Sequence, residues 1–267
     1  MTLWIWKTWQ ERPYLTCDLL SGPHGFFTRH TYPQTPEDLA SAFGSSIPVY
    51  RVKQIHSADV LSPTQIEQAI SAGLPNLEDG TPAPFPFADG VISDQPQQSV
   101  WACSADCTPA LISDTSTGQV AAIHAGWRGT AQKILPEAVS KLLANGSEKK
   151  NLRVALGPAI DGSVYQVGRD VAVKVGRSVA DGHALAGDKA LIEHLMSSEN
   201  PPVFDDDSPE CVRLDVRRIN QMQLQQMGLS VEQVAIAPHC TYQEPDNFFS
   251  YRRTQEKKVQ WAGIVSA

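Results

Sequence analysis

Apolar and polar positions fall into short runs along the 267-residue chain. Runs rich in β-branched residues and bounded by turn formers predict strands over 48–55 (PVYRVKQI), 90–93, 99–103, 109–113, 119–124 (QVAAIH), 152–157 (LRVALG), 233–237 and 259–265. Apolar residues three and four apart predict helices over 130–144, about 166–176, 188–197 and 215–227. In the first helix Ile134, Ala138, Leu142 and Leu143 make the apolar stripe, and Asn145-Gly146 ends it. The last carries Val216, Ile219, Met222, Leu224 and Met227 and stops at Gly228. Residues 73–90 (GLPNLEDGTPAPFPFADG) are rich in Pro and Gly and read as a long surface loop, because strand-like runs resume directly after them. Residues 181–190 and 197–210 read as loops around a helix. Strands and helices are interspersed without a regular βαβ rhythm, which predicts an α+β fold with mixed sheets rather than a doubly wound one.

The chain is 42% hydrophobic and 19% charged, enough apolar material for a sizeable core and too little charge for disorder. Its formal net charge of −7 argues against broad binding to nucleic acid or to anionic membrane, while leaving room for a local basic pocket. No apolar run approaches bilayer-spanning length. The apolar start is interrupted by Lys7, Glu11 and Arg12 and lacks a small-residue cleavage site, so a cytoplasmic protein is expected. Five cysteines, odd in number and sparse, do not make a disulfide framework. In a reducing compartment a cysteine near histidines is instead a candidate ligand or nucleophile. Neither a Gly-rich dinucleotide fingerprint nor a P-loop is present.

Three segments share one pattern, an apolar strand meeting a ligand-type residue beside a turn: VKQIHSADV at His56, VWACSADCTPALISD at Cys107 and VAAIHAGWRGT at His124. Side chains at strand ends can converge above a sheet while the backbone holds them rigid. Two imidazoles and a thiolate suit a borderline-soft divalent ion, and three protein ligands leave a fourth position open, as in catalytic zinc. Taken singly, each of these residues is better explained as a hydrogen-bonded histidine or a small core thiol. Cys103 lies within the run SVWAC and reads as core. Asp106 precedes Cys107 and can accept a hydrogen bond from a ligating imidazole, or serve as an ordinary turn Asp. After His124, the glycines of AGWRG, the following helix start and Arg128 make either an anion site or a plain strand-to-helix turn. NFFSYRR (247–253) sets two arginines after two aromatics, suited to stacking on a base and pairing with an anion, or to a strand edge with solvated arginines.

Together QIHSADV, ADGVISD, SADCTPALISD, HAGWRGT, GPAI…YQVG and FFSYRR stand in the order seen in the multicopper polyphenol oxidase (laccase-like) family, also called the purine nucleoside phosphorylase or peptidoglycan-editing factor family. The chain resembles that family from about residue 25 to its end. The resemblance implies a single domain over 1–267, with 1–24 as its N-terminal extension, folded as a four-layer α/β/β/α sandwich. It implies zinc on His56, Cys107 and His124, with copper as the alternative. It implies catalytic roles for Cys107, His124 and Asp106, and substrate contacts from Arg128, Gln54 and Arg252. The expected partners are a small-molecule nucleoside and phosphate, in a monomer or weak homo-oligomer without nucleic acid or membrane. The chain departs from the pattern at His30-Thr31, at 161–164 (DGSV) and at 257–259 (KKV), none of which touches the three metal positions.

Three activities are open to such a site. A zinc-dependent purine nucleoside enzyme would phosphorolyse adenosine, inosine and methylthioadenosine, and deaminate adenosine. A copper-dependent polyphenol oxidase is the second, but laccase chemistry needs a multinuclear imidazole-rich cluster, and seven histidines without a His-x-His pair do not build one in the usual way. A metal-independent cysteine hydrolase acting on cell-wall precursors, with Cys107 as nucleophile and His124 as base, is the third. A ligand-holding site without turnover is also compatible with the motifs.

Overall fold

A computed structural model of the chain describes residues 4–44, 46–180 and 187–267. Most of the loop expected over 181–190 therefore lies outside the described residues. Among the described residues, two six-stranded sheets and one three-stranded sheet carry the fold. In the first sheet Trp4–Trp9, Arg12–Cys17, His24–Phe27, Gln260–Val265, Ser99–Ser104 and Val49–Tyr50 are neighbours in that order. In the second the order is Val234–Ile236, Leu152–Leu156, Thr108–Asp114, Val120–Ala125, Gly90–Ile92 and Val60–Leu61. Both sheets are mixed. Ser99–Ser104 is antiparallel to Gln260–Val265 but parallel to Val49–Tyr50. Leu152–Leu156 is antiparallel to Thr108–Asp114 but parallel to Val234–Ile236.

The two-residue period of the strands assigns the layers. Val100, Ala102, Ala262 and Ile264 of the first sheet share one core with Leu111, Val120, Ala122 and Ala155 of the second. The intervening residues Ala110, Ile112, Ala121 and Ile123 turn to the opposite face. There they meet Ile134, Ala138 and Leu142 of helix Ile134–Ala144 and Leu224 of helix Val216–Gln226. On the outer face of the first sheet, Phe27 and Trp101 pack against Leu39 and Ala40 of two short helical turns. The stacking is helix, sheet, sheet, helix, the four-layer α/β/β/α sandwich in the α+β class. Each fully buried Leu, Ile or Phe in these layers contributes on the order of 1.5–3 kcal/mol. The third sheet, Gln166–Gly168, Cys211–Leu214 and Val203–Phe204, packs with helices Arg169–Gly176 and Asp188–Met196 beside Trp127 and Tyr165. No helix of the described residues is long and apolar enough to cross a membrane.

Several expected elements change form. The strand expected over 48–55 is only Val49–Tyr50; Lys53 keeps an isolated parallel bridge to Phe87, and at Ile55 the backbone donor bonds to the Asp89 side chain rather than to a ladder. The helix expected over 130–144 is two helices, Trp127–Ala131 and Ile134–Ala144, separated where Lys133 takes a left-handed φ of 63°. The helix expected at about 166–176 opens as strand Gln166–Gly168 and becomes helical at Arg169. Helix Pro63–Ala72, with a Ser62–Gln65 capping box, was not foreseen.

The sandwich is tight where the site end of the second sheet meets the first. A Cβ built at Gly157 would lie 2.3 Å from two ring carbons of buried Phe26. Gly157→Ala is expected to cost about 1–3 kcal/mol through this overpacking. A shift of the urea unfolding midpoint to lower denaturant measures it, and an unchanged midpoint contradicts the packing described.

Candidate metal centre

Three different backbone contexts bring the three expected ligands together. His124 is the penultimate residue of strand Val120–Ala125 and has the parity of Val120 and Ala122, which face the seam between the sheets. Cys107 lies in the crossover by which the chain leaves the first sheet at Ser104 and enters the second at Thr108. His56 sits in the loop between Val49–Tyr50 and Val60–Leu61, with a left-handed φ of 65°. One donor atom from each lies within 4.8 Å of the others, the one such group of His, Cys, Asp or Glu among the described residues. The two imidazole centroids are 5.0 Å apart with their planes 79° to each other.

A carboxylate absent from the expected set organises this convergence. Asp89 is fully buried at the start of strand Gly90–Ile92. Its oxygens accept the backbone N–H groups of Ile55 (3.1 Å), His56 (2.9 Å) and Ser57 (2.7 Å). The same carboxylate bonds His124 Nδ1 at 2.8 Å, while the Asp89 carbonyl accepts the His124 backbone N–H at 2.8 Å. With Nδ1 engaged, Nε2 of His124 is the nitrogen left for an ion or a thiol, the arrangement by which carboxylates orient ligating histidines. Burial pushes the pKa of Asp89 up, but the His124 hydrogen bond and charge, with the backbone donors, hold it below the usual carboxylate range.

Cys107 and His124 polarise each other. Burial pushes the Cys107 thiol up, but the charge of His124 and hydrogen bonds from His124 and His56 bring it down to about 6. Burial lowers His124, yet the Cys107 thiolate and Asp89 together hold it above the usual imidazole range. Cys103 is pushed up to about 12 by burial, and it is outside the cluster. Gly126 leaves the space beside the sulfur open. A Cβ there would lie 2.9 Å from Cys107 Sγ, 3.2 Å from His56 Cδ2 and 3.6 Å from His124 Cε1. Two imidazoles, an easily ionised thiol and a side-chain-free cradle fit a tetrahedral divalent ion with one open position.

The other expected residues take more varied places. Asp106 is not the carboxylate that orients an imidazole; that is Asp89. With a left-handed φ of 91°, Asp106 instead accepts Thr241 Oγ1 and the Arg252 backbone N–H, each at 2.7 Å. Gln54 pairs both of its amide atoms with the Cys103 backbone at 2.8 Å, tying the His56 loop to the first sheet. Arg128 extends over the Trp127 ring at 4.3 Å. Arg252 lies over the Tyr165 ring at 5.0 Å and donates to the Gln166 carbonyl at 2.8 Å. Of the aromatics in NFFSYRR, Phe248 and Phe249 are both buried and offer no open stacking face, while Tyr251 is exposed. Arg253 is occupied by the carbonyls of Thr241, Tyr242 and Phe248.

Beside the sulfur lies a cleft of about 30 Å³ whose walls include Asp106, Cys107, Gly126, Trp127, Ile160 and Tyr165. A larger hollow of about 420 Å³, near Asp94 and Asn145, contains no member of the cluster. Tyr165 went unassigned in the sequence, although it heads the YQVG stretch. Burial and the Cys107 charge push its phenol up to about 12.

A mixed-sheet sandwich with a two-histidine, one-cysteine cluster at its seam is the architecture of a defined class. The model of the family described as multi-copper polyphenol oxidoreductase laccase matches residues 33–266, and the chain belongs to that family. It is 53% identical over 265 residues to a protein named purine nucleoside phosphorylase in Synechocystis sp., covering 99% of this chain and 97% of that one. Over 208 residues it is 31% identical to the purine nucleoside phosphorylase YfiH of Escherichia coli, covering 78% of this chain and 69% of the relative. The crystal structure of YlmD from Geobacillus stearothermophilus has the same fold, with a TM-score of 0.77, 24% identity and coverage of 98% of each chain.

Two measurements test the centre. In metal-free protein at neutral pH, iodoacetamide is expected to alkylate Cys107 well before Cys103, because only the former thiol, at about 6 against about 12, is largely ionised there. Peptide mass spectrometry reads the order; the reverse order contradicts the electrostatics given. Asp89→Asn is expected to weaken the centre's affinity for a divalent ion about 10–100-fold, measured with added zinc as the probe by competition with a chromophoric chelator. Unchanged affinity would remove Asp89 from its orienting role.

Proposed function

We propose that the chain is a zinc-dependent purine nucleoside phosphorylase, with the ion held by His56, Cys107 and His124. The observation that carries the reading is the meeting of these three donors within 4.8 Å beside Gly126, in a chain 53% identical to a protein named for that activity. The ion, when bound, supplies Lewis acidity, polarising an oxygen in its open position. Arg128 and Arg252, stacked on Trp127 and Tyr165, present two guanidinium groups near the cleft for phosphate. Asp106 fixes the start of helix Tyr251–Thr254 and so the Arg252 backbone. Adenosine, inosine and methylthioadenosine are the proposed nucleosides, with adenosine deamination as a second activity of the same centre. The cleft of about 30 Å³ admits a small group only, so the nucleoside lies at its mouth.

A metal-independent cysteine hydrolase is a second reading with an observation in its favour. Cys107, His124 and Asp89 line up as nucleophile, base and orienting acid, with the thiol lowered and the imidazole raised. The polyphenol oxidase label has weaker support from the residues. A His2Cys set also binds copper, but the one cluster among the described residues holds two imidazoles.

Purified protein given inosine or adenosine with phosphate is expected to release the base and ribose 1-phosphate. Chelation should abolish turnover and zinc restore it, and Cys107→Ala should lower it by at least about 100-fold. Absence of both products removes the phosphorylase reading. Turnover that survives chelation, with a covalent adduct on Cys107, supports the hydrolase instead. Stoichiometric copper with phenol turnover supports the oxidase.

A further inference from the structure

We propose that the Tyr165 hydroxyl is the proton donor to the purine as it leaves the ribose. The inference rests on the phosphorylase reading above and adds to it the general acid that reading lacks. Of the cleft walls, Asp106, Cys107 and Tyr165 alone carry a group that gains or loses a proton. Both Asp106 oxygens are already engaged, by Thr241 Oγ1 and the Arg252 backbone N–H. Cys107 is committed as a ligand. The remaining walls, Gly126, Trp127, Ile160 and Val216, have no acid to offer. A phenol is protonated at neutral pH and is an established general acid.

Tyr165 is also held where such a donor is needed. Its backbone N–H donates to the Asp161 carbonyl and its carbonyl accepts from Leu214, both at 3.0 Å. Asp161 is in turn paired with buried Arg217 at 2.6 Å. Arg252 covers one face of the ring at 5.0 Å. Among the described residues the hydroxyl pairs with no protein group and is not fully buried, and its residue lines the cleft. An unpaired phenol on a fixed ring beside an anion-binding arginine is placed to meet a base whose ribose faces phosphate.

The step balances. The bond between the anomeric carbon and purine N9 breaks as a phosphate oxygen bonds to that carbon. The electron pair passes into the purine, whose N7 takes the phenolic proton. The phenolate recovers the proton that monohydrogen phosphate gives up on becoming the ribose ester.

Tyr165→Phe and nucleosides that differ in their need for a proton test this. Inosine phosphorolysis by the variant is expected to fall about 10²–10⁴-fold in kcat. 7-Methylinosine, whose base leaves neutral without a proton, should keep the parent's rate. Hypoxanthine should bind the variant about fivefold more weakly by calorimetry, the loss of one hydrogen bond. Equal losses on both nucleosides overturn the proposal, since the phenol would then only shape the cleft. An unchanged inosine rate overturns it too. A parent protein that releases no ribose 1-phosphate from either nucleoside overturns the phosphorylase reading itself, and the donor role with it. Failure of the donor role alone leaves the parent active.

Discussion

A buried carboxylate surrounded by four N–H donors holds this molecule's chemistry in place. Asp89 binds three consecutive backbone amides of the His56 loop and one imidazole nitrogen of His124. Removing a charge from water is costly unless donors replace the lost hydration. Here the replacement donors come from the two segments that must converge. The desolvation of Asp89 is therefore relieved only when loop and strand are both in position. That coupling makes the carboxylate a register pin. It also explains how His56, on a loop with left-handed backbone, reaches the same point as residues fixed in or beside a sheet.

The rest of the site is built outward from that pin. The second sheet fixes His124, and the crossover between sheets fixes Cys107. The helix carrying Arg128 is tied by Thr130 to Asn220, and by its Thr130 carbonyl to Gln223, in a buried polar network with Ser178. Asp106 orders the segment bearing Arg252. Cys107 and Tyr165 thus line one cleft, with the other two donors grouped about the sulfur and the two arginines lying over rings of the cleft wall, all carried on separate elements. Such preorganisation keeps charge-stabilising groups in place before a substrate arrives.

Much of this was legible in the chain itself. The runs at 99–103, 109–113, 119–124, 152–157 and 259–265 are strands because their alternate residues are apolar on both faces, as sandwich-core strands require. The three donors were visible as ligand-type residues at the ends of such runs. Other features carried no local signal. The hairpin joining Trp4–Trp9 to Arg12–Cys17 turns through Gln10 and Glu11, both at positive φ, where Gly or Asn is the usual mark. Lys133 breaks a helix by the same left-handed conformation without a glycine. The run expected as a strand over 48–55 pairs only at Val49–Tyr50 and Lys53, and from Ile55 to Ser57 a side chain takes the amides. Asp89 itself follows a loop rich in proline and reads as a turn residue; only its place between Ala88 and a strand-opening glycine hints at burial. Contacts between distant segments decide these cases, and a local pattern cannot report them.

The passage of the chain from one sheet to the other at Ala105–Cys107 gives the sulfur a second significance. The donors it joins belong to the far sheet and to a loop latched onto both. Anything clamped among them stitches the two halves of the sandwich together rather than decorating one edge. By mass action, occupancy there favours the folded state of the entire sandwich, and the chain's resistance to unfolding rises and falls with what the seam holds.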